Sequence, residues 1–164
     1  MVEPLDEETD LVKAWLEDHL GTVRTIRKQP RWRPVWFADV DRGGEVLELC
    51  VRGDRTDMPL IFPLDHEMRF QSLLHDHGIP AARVYGWIDR PKAYVMDRVP
   101  GRNDFSEVSD VERDAVVEDY LQVLVRLHAL EVQDGDDLAV LVMELPGVPH
   151  DGGLAAAARR RVAP

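Results

Sequence analysis

Two short breaks, Gly43-Gly44 and Asp89-Arg90-Pro91, each lie between apolar runs too short for helices, and they constrain the fold more than any other feature. Val35 to Val40 and Glu45 to Val51 flank the first; Ala82 to Ile88 and Lys92 to Met96 flank the second. A glycine pair or a proline turn between β-type runs reads as a hairpin, because the chain must reverse within two or three residues. Two hairpins follow.

Around them lie three stretches of helical periodicity. Leu11, Val12, Trp15, Leu16 and Leu20 recur at helix spacing behind an acidic first turn, and Gly21 supplies a stop. Leu64 to His77 puts Met68, Phe70, Leu73 and Leu74 mainly on one side, and Gly78 and Pro80 end it. Ser109-Asp110-Val111-Glu112 has the capping-box pattern, and behind it Val117, Tyr120, Leu121, Leu124 and Leu127 form an apolar stripe running to Leu130. The expected organisation is an N-terminal helix in 1–21, a sheet-bearing lobe in 22–101, the start of a helical lobe in 102–132, and a weakly organised tail in 133–164. That tail includes the low-complexity stretch Pro149 to Arg161.

At 164 residues, with 45% hydrophobic and 31% charged residues, the chain has enough apolar surface for one core. A formal charge of −11 repels nucleic acid and anionic membranes at long range, so neither is an expected partner. The single cysteine, Cys50, has no partner for an internal disulfide and sits in an apolar run, which reads as a buried free thiol in a reducing compartment. The acidic N-terminus lacks a secretory pattern, and no apolar stretch approaches membrane-spanning length; a cytoplasmic protein is the expectation.

Four local sequences carry the chemistry. They are Leu49-Cys50-Val51-Arg52-Gly53-Asp54-Arg55, Asp65-His66-Glu67-Met68-Arg69-Phe70, Tyr94-Val95-Met96-Asp97-Arg98-Val99-Pro100-Gly101, and Leu124-Val125-Arg126-Leu127-His128-Ala129-Leu130. In that order, over about residues 10 to 132, the chain resembles the aminoglycoside phosphotransferase and choline-kinase-like families of small-molecule kinases. The resemblance implies an α+β fold, a protein-kinase-like N-lobe. Its five-stranded antiparallel sheet carries an inserted helix and leads through a hinge to a long helix. It further implies that Arg52, with Arg55 as the competing choice, neutralises nucleotide phosphates, that Glu67 holds that cation, and that Met96, Asp97 and Val99 lie along the adenine. His128 closes the long helix and is assigned no chemistry. The cofactor implied is ATP, or another nucleoside triphosphate, with Mg²⁺, and the partner is an unidentified small-molecule acceptor.

Two departures stand out. The loop between the first two strands, Arg24 to Pro34, has no glycine-rich phosphate cradle, and its cations are an alternative source of positive charge or an Arg/Trp surface for a protein partner. The family's His-Gly-Asp-type loop, its following asparagine and its later metal-binding aspartate are also missing. His75-Asp76-His77-Gly78 lies before the hinge, and His150-Asp151-Gly152 lacks the residues that should follow it. No catalytic residue and no metal ligand is therefore assigned; His66, His75 and His77 lack the cysteine or carboxylate spacing of a zinc site. The expectation is an incomplete, inactive nucleotide-binding portion of a kinase-family protein. The rivals are a non-catalytic nucleotide-binding or regulatory module and an interaction domain.

Overall fold

The computed structural model describes residues 6–29, 31–55, 63–101, 104 and 106–130. The expected tail at 133–164 lies outside the described residues. Along the chain come α1 (Glu7–His19), β1 (Thr22–Gln29), β2 (Val35–Arg42), β3 (Glu45–Gly53), α2 (Leu64–Asp76), β4 (Val84–Ile88), β5 (Ala93–Asp97) and α3 (Asp110–His128). The five strands form one antiparallel sheet in the order β1-β2-β3-β5-β4, so the class is α+β with a kinase-like N-lobe architecture.

The Gly43-Gly44 hairpin joins β2 to β3 with both glycines at positive φ, 67° and 98°, which a two-residue turn of this hand requires. β1 was not expected as far as Gln29. Thr22–Gln29 pairs with β2 along its length, so Arg24, Arg27 and Lys28 are strand residues, and between the two strands the described loop residues are 31–34. Polar residues conceal this strand because it is the sheet edge with an exposed face, where charge is tolerated and discourages edge pairing.

Side chains alternate across the sheet, and the two faces have different covers. One face presents Trp36, Ala38, Val40, Leu49, Val51, Ala93 and Val95, all fully buried, to Val12, Leu16 and Leu20 of the α1 region. α1 starts where Asp6 accepts a 2.8 Å hydrogen bond from the Thr9 amide, a side-chain N-cap. Gly86 of β4 meets Trp15 of α1: a Cβ there would lie 2.9 Å from the indole ring, so the close approach needs glycine.

The opposite face carries Cys50, Arg52, Tyr94 and Met96, and here α2 packs through Glu67 and Gln71. α2 closes as the Ile79 amide bonds to the Leu74 carbonyl, with Gly78 at φ 72°. α3 begins at Ser109, whose hydroxyl accepts from the Glu112 amide at 3.2 Å. It buries no residue, and Val117, Tyr120 and Leu121 of its apolar stripe are half exposed or more. Among the described residues, no helix is long and apolar enough to cross a membrane.

Candidate functional site

The α2-side face of the sheet is built from three cross-strand rows. At the end where β5 leaves the sheet, Asp39 pairs with Glu48. Next come Phe37, Cys50 and Met96 side by side, and then Val35, Arg52 and Tyr94. An apolar row between two charged rows is the consequence.

Arg52 stands near the end of β3, and its Nε lies 2.7 Å from Oε1 of Glu67, in the first turn of α2. The other carboxylate oxygen, Oε2, accepts from Arg33 at 2.8 Å. Glu67 is thus held between two guanidinium groups, one from β3 and one from the β1–β2 loop. The fit is tight but imperfectly aimed: the Nε–H groups of both Arg33 and Arg52 are buried and make no directed hydrogen bond. Arg33 is the more enclosed, its side chain 13% exposed against 36% for Arg52. Arg55, the competing cation, lies instead over the exposed ring of Trp32, 4.7 Å from its centroid.

Behind the trio, the buried Tyr94 hydroxyl lies 3.4 Å from Glu67 Oε1 and 3.3 Å from Gln71 Oε1, one proton shared between two acceptors. Burial, and then the negative charge of Glu67, push the Tyr94 phenol far above its usual range, so it stays a neutral donor. Gln71 in turn donates to the Ala82 carbonyl at 2.9 Å and touches Met96 Sδ at 3.3 Å, which ties α2 to the strand leading into the hinge. Burial raises the Cys50 thiol, against the pull of Arg52, Arg31 and Arg98. Cys50 is half-buried rather than enclosed, and it is an apolar neighbour for Phe37 and Met96.

The hinge segment is anchored on both sides. The Asp97 amide donates to the Arg83 carbonyl and the Arg98 amide to the Glu48 carbonyl, each at 2.9 Å. The Tyr85 hydroxyl donates to Asp97 at 2.7 Å. The Arg98 side chain folds back to Glu48 (3.0 Å) and Asp39 (3.2 Å) with Phe37 beneath it, and the hydrogen bond with Glu48 is the main reason its pKa is raised. Val99, the next residue, is 70% exposed.

Arg52 and Glu67 are therefore brought together, and Met96 shares their face of the sheet; Asp97, opposite Leu49 and bound by Tyr85, turns to the α1 face, and Val99 lies beyond the end of β5. His66, His75 and His77 do not converge: His75 Nδ1 lies 3.0 Å from the Ala81 carbonyl and His77 Nδ1 2.9 Å from the Leu73 carbonyl, both at the end of α2. Among the described residues, no group of three or more His, Cys, Asp or Glu side chains is placed to hold a metal ion.

A strand cation fixed by a helix carboxylate, beside an apolar strip and an anchored hinge, is the arrangement expected of a nucleotide-binding lobe. The family model of the phosphotransferase enzyme family matches residues 32–163. The chain belongs to that family. No curated protein and no solved structure matches it. Within this phosphotransferase lobe, reading the sequence missed Arg33, Tyr94 and Gln71. Arg33 was visible only as one cation of several, and its partner is 34 residues away. Tyr94 reads as one more strand aromatic, and Gln71 carries no charge to mark it.

Proposed function

We propose that this lobe binds the adenine nucleotide of an ATP-dependent small-molecule kinase. Arg52 meets the α- and β-phosphates, Glu67 directs it, and the backbone from Met96 through Asp97 to Val99 runs along the adenine, with Phe37 and Cys50 forming an apolar ceiling. The observation that carries this reading is the 2.7 Å approach of Arg52 to Glu67 on the face that also holds the apolar row. A cation kept in one direction loses little side-chain entropy when an anion arrives.

The partly exposed Arg52 guanidinium suits a polyphosphate, so the described residues fit the nucleotide half of the cofactor. Bound, ATP would supply the phosphoryl group, and Mg²⁺ would neutralise charge on its phosphates. The groups that would hold the metal are not among the described residues. The His-Gly-Asp-type loop with its asparagine and the later metal-binding aspartate motif are not recognisable in the sequence, so the 164-residue chain is expected on this reading to bind nucleotide weakly and to turn nothing over. The acceptor is a small molecule bearing a hydroxyl group, and the setting is the cytoplasm.

Calorimetry with ATP and Mg²⁺, run beside a coupled assay across hydroxyl acceptors, tests both halves. Weak binding that Arg52→Ala abolishes, without turnover, is expected. Nucleotide binding that ignores Arg52→Ala overturns the phosphate assignment, and metal-dependent turnover by this chain overturns the claim of inactivity.

A further inference from the structure

A phosphate-binding cation has two requirements that conflict. It must be oriented, which Glu67 does, and it must stay positive toward the ligand, which a one-to-one pair with Glu67 would largely cancel. Here the carboxylate is shared. Glu67 gives Oε1 to Arg52 and Oε2 to Arg33, so two cations and one anion leave one positive charge in the cluster. The enclosed member is Arg33 and the reachable one is Arg52, so that charge is presented to solvent through Arg52. Arg52 Nε lies 2.7 Å from Glu67 Oε1 but is poorly aimed for a hydrogen bond, so that contact is mainly one of charge.

We propose that Arg33 is a positioning residue that neutralises Glu67, so that Glu67 can orient Arg52 without cancelling its charge toward a polyphosphate. The inference rests on the nucleotide-binding reading above and extends it to the β1–β2 segment. Where other phosphate-binding loops use glycines and backbone amides, this one, Arg31-Trp32-Arg33-Pro34 in its described part, contributes an arginine to the strand–helix ion pair. Arg33 acts through Glu67 and need not touch the ligand.

The test is a double-mutant cycle read by ligand affinity, with adenosine, AMP, ADP and ATP as probes and far-UV circular dichroism to establish folding. In Arg33→Ala, Glu67 becomes a full counter-charge for Arg52. ATP affinity should fall about tenfold, the size of one unit charge at several ångström in a partly solvated site. The loss should shrink from ATP to ADP to AMP and vanish for adenosine. Adding Glu67→Gln to Arg33→Ala removes the cancelling carboxylate and should recover part of the lost ATP affinity, short of the original because Arg52 is then less firmly directed, a recovery that simple support of the loop does not predict.

Arg33→Lys keeps the charge and should hold ATP affinity within about threefold, which preserves the test if the alanine variant fails to fold. A double variant as weak as Arg33→Ala, or an equal loss for adenosine and ATP, overturns the role of Arg33 while leaving the phosphate role of Arg52 intact. If the original chain binds no polyphosphate, or Arg52→Ala changes nothing, the nucleotide reading fails and this inference fails with it.

Discussion

Thr9→Val should destabilise the lobe by about 2 kcal/mol, although it changes neither the size nor the shape of the side chain. Thr9 is 2% exposed and Trp36 is fully buried, and the indole Nε1–H donates to the threonine hydroxyl at 2.8 Å. That hydroxyl donates onward to Asp6 Oδ1, also at 2.8 Å. Valine leaves the indole N–H buried without an acceptor, which costs about 1–3 kcal/mol. Loss of the bond to Asp6 adds no more than about 1 kcal/mol, because Asp6 keeps the Thr9 amide and the Lys28 ammonium.

The control is Trp36→Phe, which removes the donor and opens a cavity of its own. In that background Thr9→Val should cost only about 0.5 kcal/mol, since no indole N–H remains to be stranded. Urea denaturation followed by far-UV circular dichroism measures all four chains, with the slope unchanged. A cost below about 0.5 kcal/mol for Thr9→Val alone, or the same cost with and without Trp36, would refute the assignment of this hydrogen bond as the tie between α1 and the sheet.

The raised Tyr94 pKa makes a prediction with a definite sign. Its contribution to stability is fully present below the unfolded tyrosine value of about 10 and is lost as pH rises through the higher folded value, so Tyr94→Phe should flatten the alkaline fall in stability; an unchanged alkaline profile would count against it. Gly86→Ala should cost about 1–3 kcal/mol in thermal or urea unfolding, because its Cβ would meet Trp15 at 2.9 Å, and a neutral result would mean that α1 sits further from β4. Leu121→Ala and Val125→Ala on α3, at 50% and 68% exposure, should each change stability by less than about 0.5 kcal/mol, whereas a loss above about 1.5 kcal/mol would reveal a cover over that stripe.

Local chemistry determined the hairpins and helices from sequence alone. Gly43-Gly44 forces a reversal in two residues whatever surrounds it, Ser109 caps α3 through an amide three residues on, and Gly78 ends α2, all within reach of neighbouring backbone. The pairing of Arg52 with Glu67 was legible for a different reason: the family motifs preserve the chain order of strand cation, helix acid and hinge, and the chain now carries a family match over residues 32–163. Only tertiary structure decided the rest. β1 hides its strand character because an edge strand need not alternate cleanly, and pairing with β2 orders residues that sequence periodicity left as loop. The third member of the ion cluster was hidden too. One cation among Arg24, Arg27, Lys28, Arg31 and Arg33 reaches Glu67, and which one depends on strand register and on where α2 crosses the sheet. Both are set by the burial of apolar side chains across the whole sheet and α1, because burial is non-local while capping and turns are not.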